Sequence, residues 1–230
     1  VFRTTRFRES SLIMDIYTAE KGLQCFIANG VYSKSNQRLA SLFQLMNILD
    51  LLVYYNDQKE IHRIKEVSPA LLYQRIPFDI KRSAIGTFIL EVCRKSIRDQ
   101  QTNPELFQFI KTTYSNLDNQ ESLASEFSIL FLLDFSSHLG FSPLDNYSES
   151  NNSLDLLNGS FSPFDITSKY AVNPEDSFLL FLLLQKKSGT DSFKTLEQRR
   201  RILDLLLLYY KLHLDHFKDI KSIEVFKGIF

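Results

Sequence analysis

The chain has no tryptophan, two cysteines and seven glycines among its 230 residues, and its formal charge sums to zero. Each scarcity closes off a class of function. The glycines form no Gly-x-Gly-x-x-Gly turn, no phosphate loop ending in Gly-Lys-Ser/Thr and no Gly-x-Ser-x-Gly elbow, so no loop implies a nucleotide cofactor or a serine nucleophile. Cys25 and Cys93 are too few to hold zinc on cysteine ligands. Their spacing leaves a disulfide open, whereas two buried free thiols in a reducing cytoplasm suit the apolar segments around both. The longest uninterrupted apolar run, residues 178–184, is far short of the ~18 residues a membrane helix needs. Without tryptophan, any stacking surface must come from the 20 phenylalanines and 10 tyrosines.

The four histidines add little catalytic signal. His213 and His216, with Asp215 between them, form the one metal-like grouping, and they suit a helix C-terminus, where cations meet the negative end of the dipole. His62, between Ile61 and Arg63, is expected at the surface, and His138 precedes a helix stop at Leu139-Gly140. No cofactor and no metal are expected.

Zero net charge argues at first against a polyanion partner, but the distribution is uneven. Residues 1–100 hold 15 Lys+Arg against 10 Asp+Glu, residues 101–190 hold 4 against 11, and no base lies between Lys111 and Lys169. A polyanion should therefore meet the first half, and the acidic stretch should face solvent or a protein.

An apolar content of 44% is ample for a core. Near the start, Leu12, Met14 and Ile16 alternate with Ile13, Asp15 and Tyr17, and Glu20-Lys21-Gly22 turns the chain into a second alternating run. Residues 30–38 read as an exposed loop. Residues 42–55 are a long apolar run ending in a turn at 56–59, and Ile61, Arg63 and Lys65 then alternate with His62, Ile64 and Glu66 as a strand with one solvated face. Several short strands over about 70 residues favour a small barrel. The period changes at Ile76-Pro77-Phe78-Asp79, with Asp79 capping a helix expected over residues 80–98. Asn103-Pro104-Glu105 and Asn173-Pro174-Glu175 are matched helix starts, and Thr195 to Gln198 fits a capping box ahead of a Leu-rich helix central to a bundle. Residues 142–168, with seven Ser, four Asn and no base, read as a long loop, functional or disordered. The fold class is α+β: an OB-type β-barrel over residues 1–76, followed by an all-α helical-bundle domain over residues 77–230.

The segments RTTRFRESSLIMDIYTAEKGL, GVYSK, VYYNDQKEIHRIKE and RRRILDLLLLYYKLHL, in that order along nearly the whole chain, resemble the RecO family of recombination mediators in bacterial DNA repair. The resemblance implies an OB-type barrel and a helical domain, binding of single- and double-stranded DNA, annealing of complementary strands, and recombinase loading with RecR. It also implies contact with the tail of single-strand binding protein and a cytoplasmic, nucleoid-associated location. Members carry several residues before the position of Val1, so part of the first barrel strand is expected to be missing here. Two departures stand out. Relatives often have four cysteines with CxxC spacing in the second half, about where residues 142–168 lie, which suggests a metal-free replacement of that element; and Gln44-Leu45 stands where Gln-Pro is common.

Cations beside exposed rings can hold a single strand, charge tracking the phosphates and a ring stacking a base. Arg6, Arg8, Lys34, Arg38, Arg63, Lys65 and Tyr32 are the DNA-binding candidates. Lys34 and Arg38 lead, because their loop has little to bury and the family's corresponding loop is basic. Arg94 and Arg98, on the first helix of the second domain, are the candidates for receiving the acidic, phenylalanine-ended tail that the resemblance implies. No catalytic residue is expected. The competing reading is a helical protein-interaction module with little DNA affinity of its own.

Overall fold

The computed structural model of the chain describes residues 1–33, 37–98, 100–185 and 193–225, and only the backbone of Gln37 and Arg38. The chain divides into two compact units, Val1–Gln120 and Glu121–Phe230.

In the first unit the strands are β1 (Arg3–Phe7), β2 (Ser11–Thr18), β3 (Gly22–Ala28), β4 (Leu49–Tyr54) and β5 (Ile61–Pro69), with helix α1 (Gln37–Leu42) between β3 and β4. They form one sheet in the order β1-β2-β3-β5-β4. All neighbours are antiparallel except β3 and β5. Five strands, a helix after the third and a parallel β3–β5 pair make an OB-type sheet. It stops short of a closed barrel, since β1 and β4 share no ladder. Instead the Val1 nitrogen donates to the Asn47 carbonyl at 2.9 Å, and the Met46 amide donates to the Val1 carbonyl at 3.1 Å, which ties the chain to the residues just before β4.

Alternation along the strands sends Leu12, Met14, Ile16, Phe26, Ala28 and Ile64 into one core with Val31 and Phe43. The β2–β3 turn requires its glycine. Gly22 has φ +63°, and a side chain there would meet the backbone of Gln100 and Gln101 at 2.5–2.8 Å. Two expectations need adjusting. The segment 30–38 is not all loop, because α1 starts at Gln37, and within the apolar run 42–55 only Leu49–Tyr54 is strand. Just after Gln44-Leu45, Met46 takes φ 72°.

The same unit carries α2 (Ile80–Ser96) and α3 (Pro104–Asn119), started by the Asp79 and Asn103 caps that the sequence announced. The strand-to-helix passage is fixed by one carboxylate. Asp118, buried near the end of α3, accepts from the backbone amides of Gln74, Arg75 and Ile76 at 2.7, 2.9 and 2.9 Å. Burial alone would raise its carboxyl, but these amides and the Arg82 guanidinium together hold it below the ordinary value. Arg82, itself buried, donates to the Leu117 and Gln120 carbonyls at the exposed end of α3.

The second unit holds α4 (Phe127–His138), a hairpin of β6 (Ser153–Asp155) and β7 (Ser160–Ser162), α5 (Pro174–Leu184) and α6 (Leu196–His213). Thr195 caps α6 by accepting from the Gln198 amide, while Gln198 Oε1 receives the Lys194 amide, one residue earlier than a strict capping box. Ile202, Leu203, Leu206 and Tyr210 are buried along α6, and Asp176, fully buried on α5, takes a two-pronged ion pair from Arg201 at 2.5 and 2.8 Å.

The Ser/Asn-rich stretch is ordered, which corrects the reading of residues 142–168 as a plain loop. Its polar side chains bond backbone groups that strands alone would leave unpaired. Asn146 accepts from the Phe161 amide and donates to the Phe161 carbonyl, both at 2.9 Å, and Asp155 Oδ1 caps the turn through the Leu157 and Asn158 amides. Leu154, Leu156 and Phe161 are buried beneath the hairpin. The helical half is therefore not all-α. His213 takes a structural place here: its Nε2 lies 3.1 Å from the Leu156 carbonyl and its ring stacks on Phe141.

The Asp118 carboxyl lies below its ordinary value, so its stabilisation is present above about pH 4 and is lost as pH falls through the folded-state value. Asp118→Asn should cost about 2–3 kcal/mol at pH 7 in denaturant unfolding, the gap to the parent narrowing below pH 4. An equal gap at pH 7 and pH 3 would contradict this role. Gly159 has φ +64°, and a side chain there would meet Tyr209 Oη at 2.6 Å. Gly159→Ala should therefore destabilise by about 1–3 kcal/mol, read as a lowered melting temperature.

Candidate nucleic-acid interface

Strand register decides which side chains share a face, since directly paired residues point the same way. Tyr54 pairs with Arg63, Arg63 with Ile27, Ile27 with Ile13 and Ile13 with Thr5, so one unbroken row crosses all five strands. A parallel row runs Ile61, Cys25, Asp15 and Arg3. Both lie on the face opposite the core. Leu12, Met14, Phe26, His62 and Ile64 point inward, while Tyr54, Ile61, Arg63, Thr5 and Arg3 are exposed and Ile13, Cys25 and Ile27 half-buried. Four steps between strands span ~19 Å. Apolar side chains therefore occupy the middle of the face, with cations and rings towards its edges.

The charges on this face are unevenly engaged. Arg3 sits 3.4 Å from Asp15 and offsets the one acid in the two rows. Arg63 has no ion-pair partner among the described residues. Partial burial and the neighbouring Asp15 carboxylate raise the Cys25 thiol, which keeps it protonated rather than nucleophilic. Both cysteines are free, Cys93 fully buried and Cys25 half-buried.

A second grouping forms at the β1–β2 turn. Arg8 adopts φ 53°, which is costly for a side chain other than glycine, and its guanidinium lies over the Phe7 ring at 5.2 Å. Arg6 donates to the Glu9 carbonyl and covers the Tyr32 ring at 5.0 Å. The Tyr32 amide donates to the Ser10 carbonyl, which ties the segment after β3 to this turn. Arg6 and Tyr32 are thus brought together, while Arg8 keeps to Phe7. Phe7 pairs with Ser11 on the outward side, while Arg6 pairs with the core residue Leu12 and leaves from the other side of the ladder.

The remaining candidates separate. Lys65 is exposed beside the β4–β5 irregularity and lies 3.3 Å from Glu66. Lys34 lies outside the described residues, as does the side chain of Arg38. The helix expected over residues 80–98 ends at Ser96, because Ile97 turns extended, so Arg94 is exposed on the last turn of α2 while Arg98, also exposed, lies beyond its end; Lys95 pairs with Glu91 at 2.7 Å. His62 is the clear correction: it is 2% exposed, not a surface group. It stacks on Tyr55 with centroids 4.2 Å apart and packs against Phe26, because β5 turns its even-numbered positions 62 and 64 to the core. Ile13, Ile27, Ile61 and Tyr54 complete the face and are absent from the candidates named from sequence. Their signal lay in strand parity counted outward from Arg63. Among the described residues no group of His, Cys, Asp and Glu could hold a metal ion.

Comparison with known proteins places this arrangement in a family. The family model for the N-terminal part of recombination protein O matches residues 1–73, and that for its C-terminal part matches residues 77–222. The chain belongs to the RecO family. The DNA repair protein RecO of Flavobacterium psychrophilum is 32% identical over 233 residues, covering 100% of this chain and 96% of that protein. Those of Flavobacterium johnsoniae and Phocaeicola vulgatus are 30% and 28% identical, with the same coverage. The boundary between the two RecO parts, at residues 74–76, coincides with the backbone segment held by Asp118, while the compact unit extends to Gln120. No described helix is long and apolar enough to cross a membrane.

Proposed function

We propose that the outward face of the OB-type sheet binds DNA, and that the chain acts as a recombination mediator without covalent catalysis. The observation that carries the reading is the row Tyr54, Arg63, Ile27, Ile13, Thr5 on the outward face of the sheet, in a chain whose family is one of DNA repair. Half-buried isoleucines in the middle suit bases or sugars, and the unpaired Arg63 together with Arg8 at the β1–β2 turn suit phosphates. The β1–β2 and β4–β5 turns flank the path, as in other OB-type strand binders. Lys34 and Arg38 would extend the basic surface from the segment after β3. Annealing then requires only that two strands be held on one basic surface with their mutual repulsion screened. Duplex DNA would meet the same charges through its phosphates.

In this reading a RecR-like protein joins in recombinase loading, and Arg94 and Arg98 receive the acidic tail of single-strand binding protein. A cytoplasmic, nucleoid-associated location follows from the same role. The second reading, a protein-interaction module with little DNA affinity, draws on one observation: Arg94, on the last turn of α2, and Arg98, just past its end, are both exposed. Retained affinity for the tail peptide without DNA affinity would favour it.

Fluorescence anisotropy of a short labelled single strand across a salt series tests the main reading. Binding should be tight at low salt and fall steeply as salt rises. Arg63→Ala should weaken it for all sequences and reduce the slope of log K against log salt by about one unit, and Lys34→Ala with Arg38→Ala by up to about two. An unchanged slope in Arg63→Ala would remove the sheet face from the DNA path.

A further inference from the structure

The surface rings of the first unit differ in what already covers them. Tyr55 is occupied on both sides: it stacks on the buried His62 at 4.2 Å and 20°, and the Lys21 ammonium lies 4.7 Å from its centroid. Arg6 covers Tyr32 and Arg8 covers Phe7. Tyr54, 59% exposed, has neither a ring nor a cation against it among the described residues. It stands at the end of β4 beside its cross-strand neighbour Arg63, over an open groove of about 420 Å³ lined by Tyr54, Tyr55, Asn56, Lys59, Ile61 and Arg63.

We propose that this groove is a stacking subsite for one nucleobase of a single strand, with Tyr54 as the ring that takes the base and Arg63 and Lys59 as the contacts to its flanking phosphates. The proposal rests on the DNA-binding reading above and specifies where a base sits. Tyr55, fixed between His62 and Lys21, is a wall and not a platform. Ile61, exposed and two residues from Arg63 on the same side of β5, gives the groove an apolar floor. The side chains of the loop acids Asp57 and Glu60 do not line it, so its charged lining residues are both cations. A purine or pyrimidine carries a π-face and an adjoining anion, and this groove offers a free ring and two cations within one turn of the sheet edge. His62 acts as a positioning residue by holding Tyr55.

The absence of native tryptophan makes the test direct. In Tyr54→Trp the indole is the sole tryptophan, and the full chain is titrated with end-labelled oligothymidylate and with an abasic strand of equal length, reading label anisotropy and indole emission together. The expected result is quenching of the indole by oligothymidylate and little by the abasic strand. Tyr54→Ala should weaken oligothymidylate binding by about 5- to 150-fold while leaving the salt slope unchanged. Saturated anisotropy with unchanged emission, or equal quenching by both strands, overturns the subsite and leaves the DNA-binding reading standing. No anisotropy change with either strand overturns both.

Discussion

One buried carboxylate organises the passage from sheet to helices. Three successive backbone amides, those of Gln74, Arg75 and Ile76, converge on Asp118. A stretch with no regular structure of its own would otherwise leave donors unpaired. The arrangement works in both directions. Asp118 sits on the last turn of α3, where the helix dipole disfavours an anion, and Arg82 and Arg75 answer by donating to the carbonyls of Leu117, Asn119 and Gln120. The consequence is architectural. Helices α2 and α3 are bound to the sheet as one compact unit ending at Gln120, although composition and the family's own division both mark a change near residue 76.

A rigidly supported sheet is what gives the outward row its meaning. Side-chain parity is binary, so a one-residue slip of β5 against β3 and β4 would bury Arg63 and expose Ile64. The buried set Leu12, Met14, Phe26 and Ile64 makes that slip costly. The same apolar residues that hold the fold therefore fix which cations and rings point outward. A chain with zero net charge needs no overall excess of base for this, because local placement matters within a screening length of about 10 Å.

Much of this was legible in the residues. The caps at Asp79, Asn103, Asn173 and Thr195 each accept the amide their position demands, and the alternation of Leu12, Met14 and Ile16 reads directly as β2. Two features were hidden for physical reasons. His62 and Ile61 exchange the places that polarity assigns them, because the face of β5 is set by its pairing with β3 and β4 and not by the pair itself. The order in residues 142–168 depends on Asn146 bonding Phe161 fifteen residues away and on Ser177 Oγ receiving the Leu154 amide. Such side-chain-to-backbone bonds leave no periodicity in sequence, and they let a Ser/Asn-rich segment form a packed hairpin without any cysteine. Of the site, Arg63 was visible as a strand cation, but the companions that make it part of a row emerged only with the register.

Whether the outward face of the OB-type sheet meets a DNA strand is read by isoleucine methyl NMR, because the isoleucines report both faces. On titration with oligothymidylate, shifts are expected at the δ1 methyls of Ile13, Ile27 and Ile61, with Ile16 and Ile64 on the core side and Ile129 and Ile202 in the second unit holding their positions. Shifts confined to Ile129 and Ile202, with Ile13 and Ile27 unmoved, would contradict it.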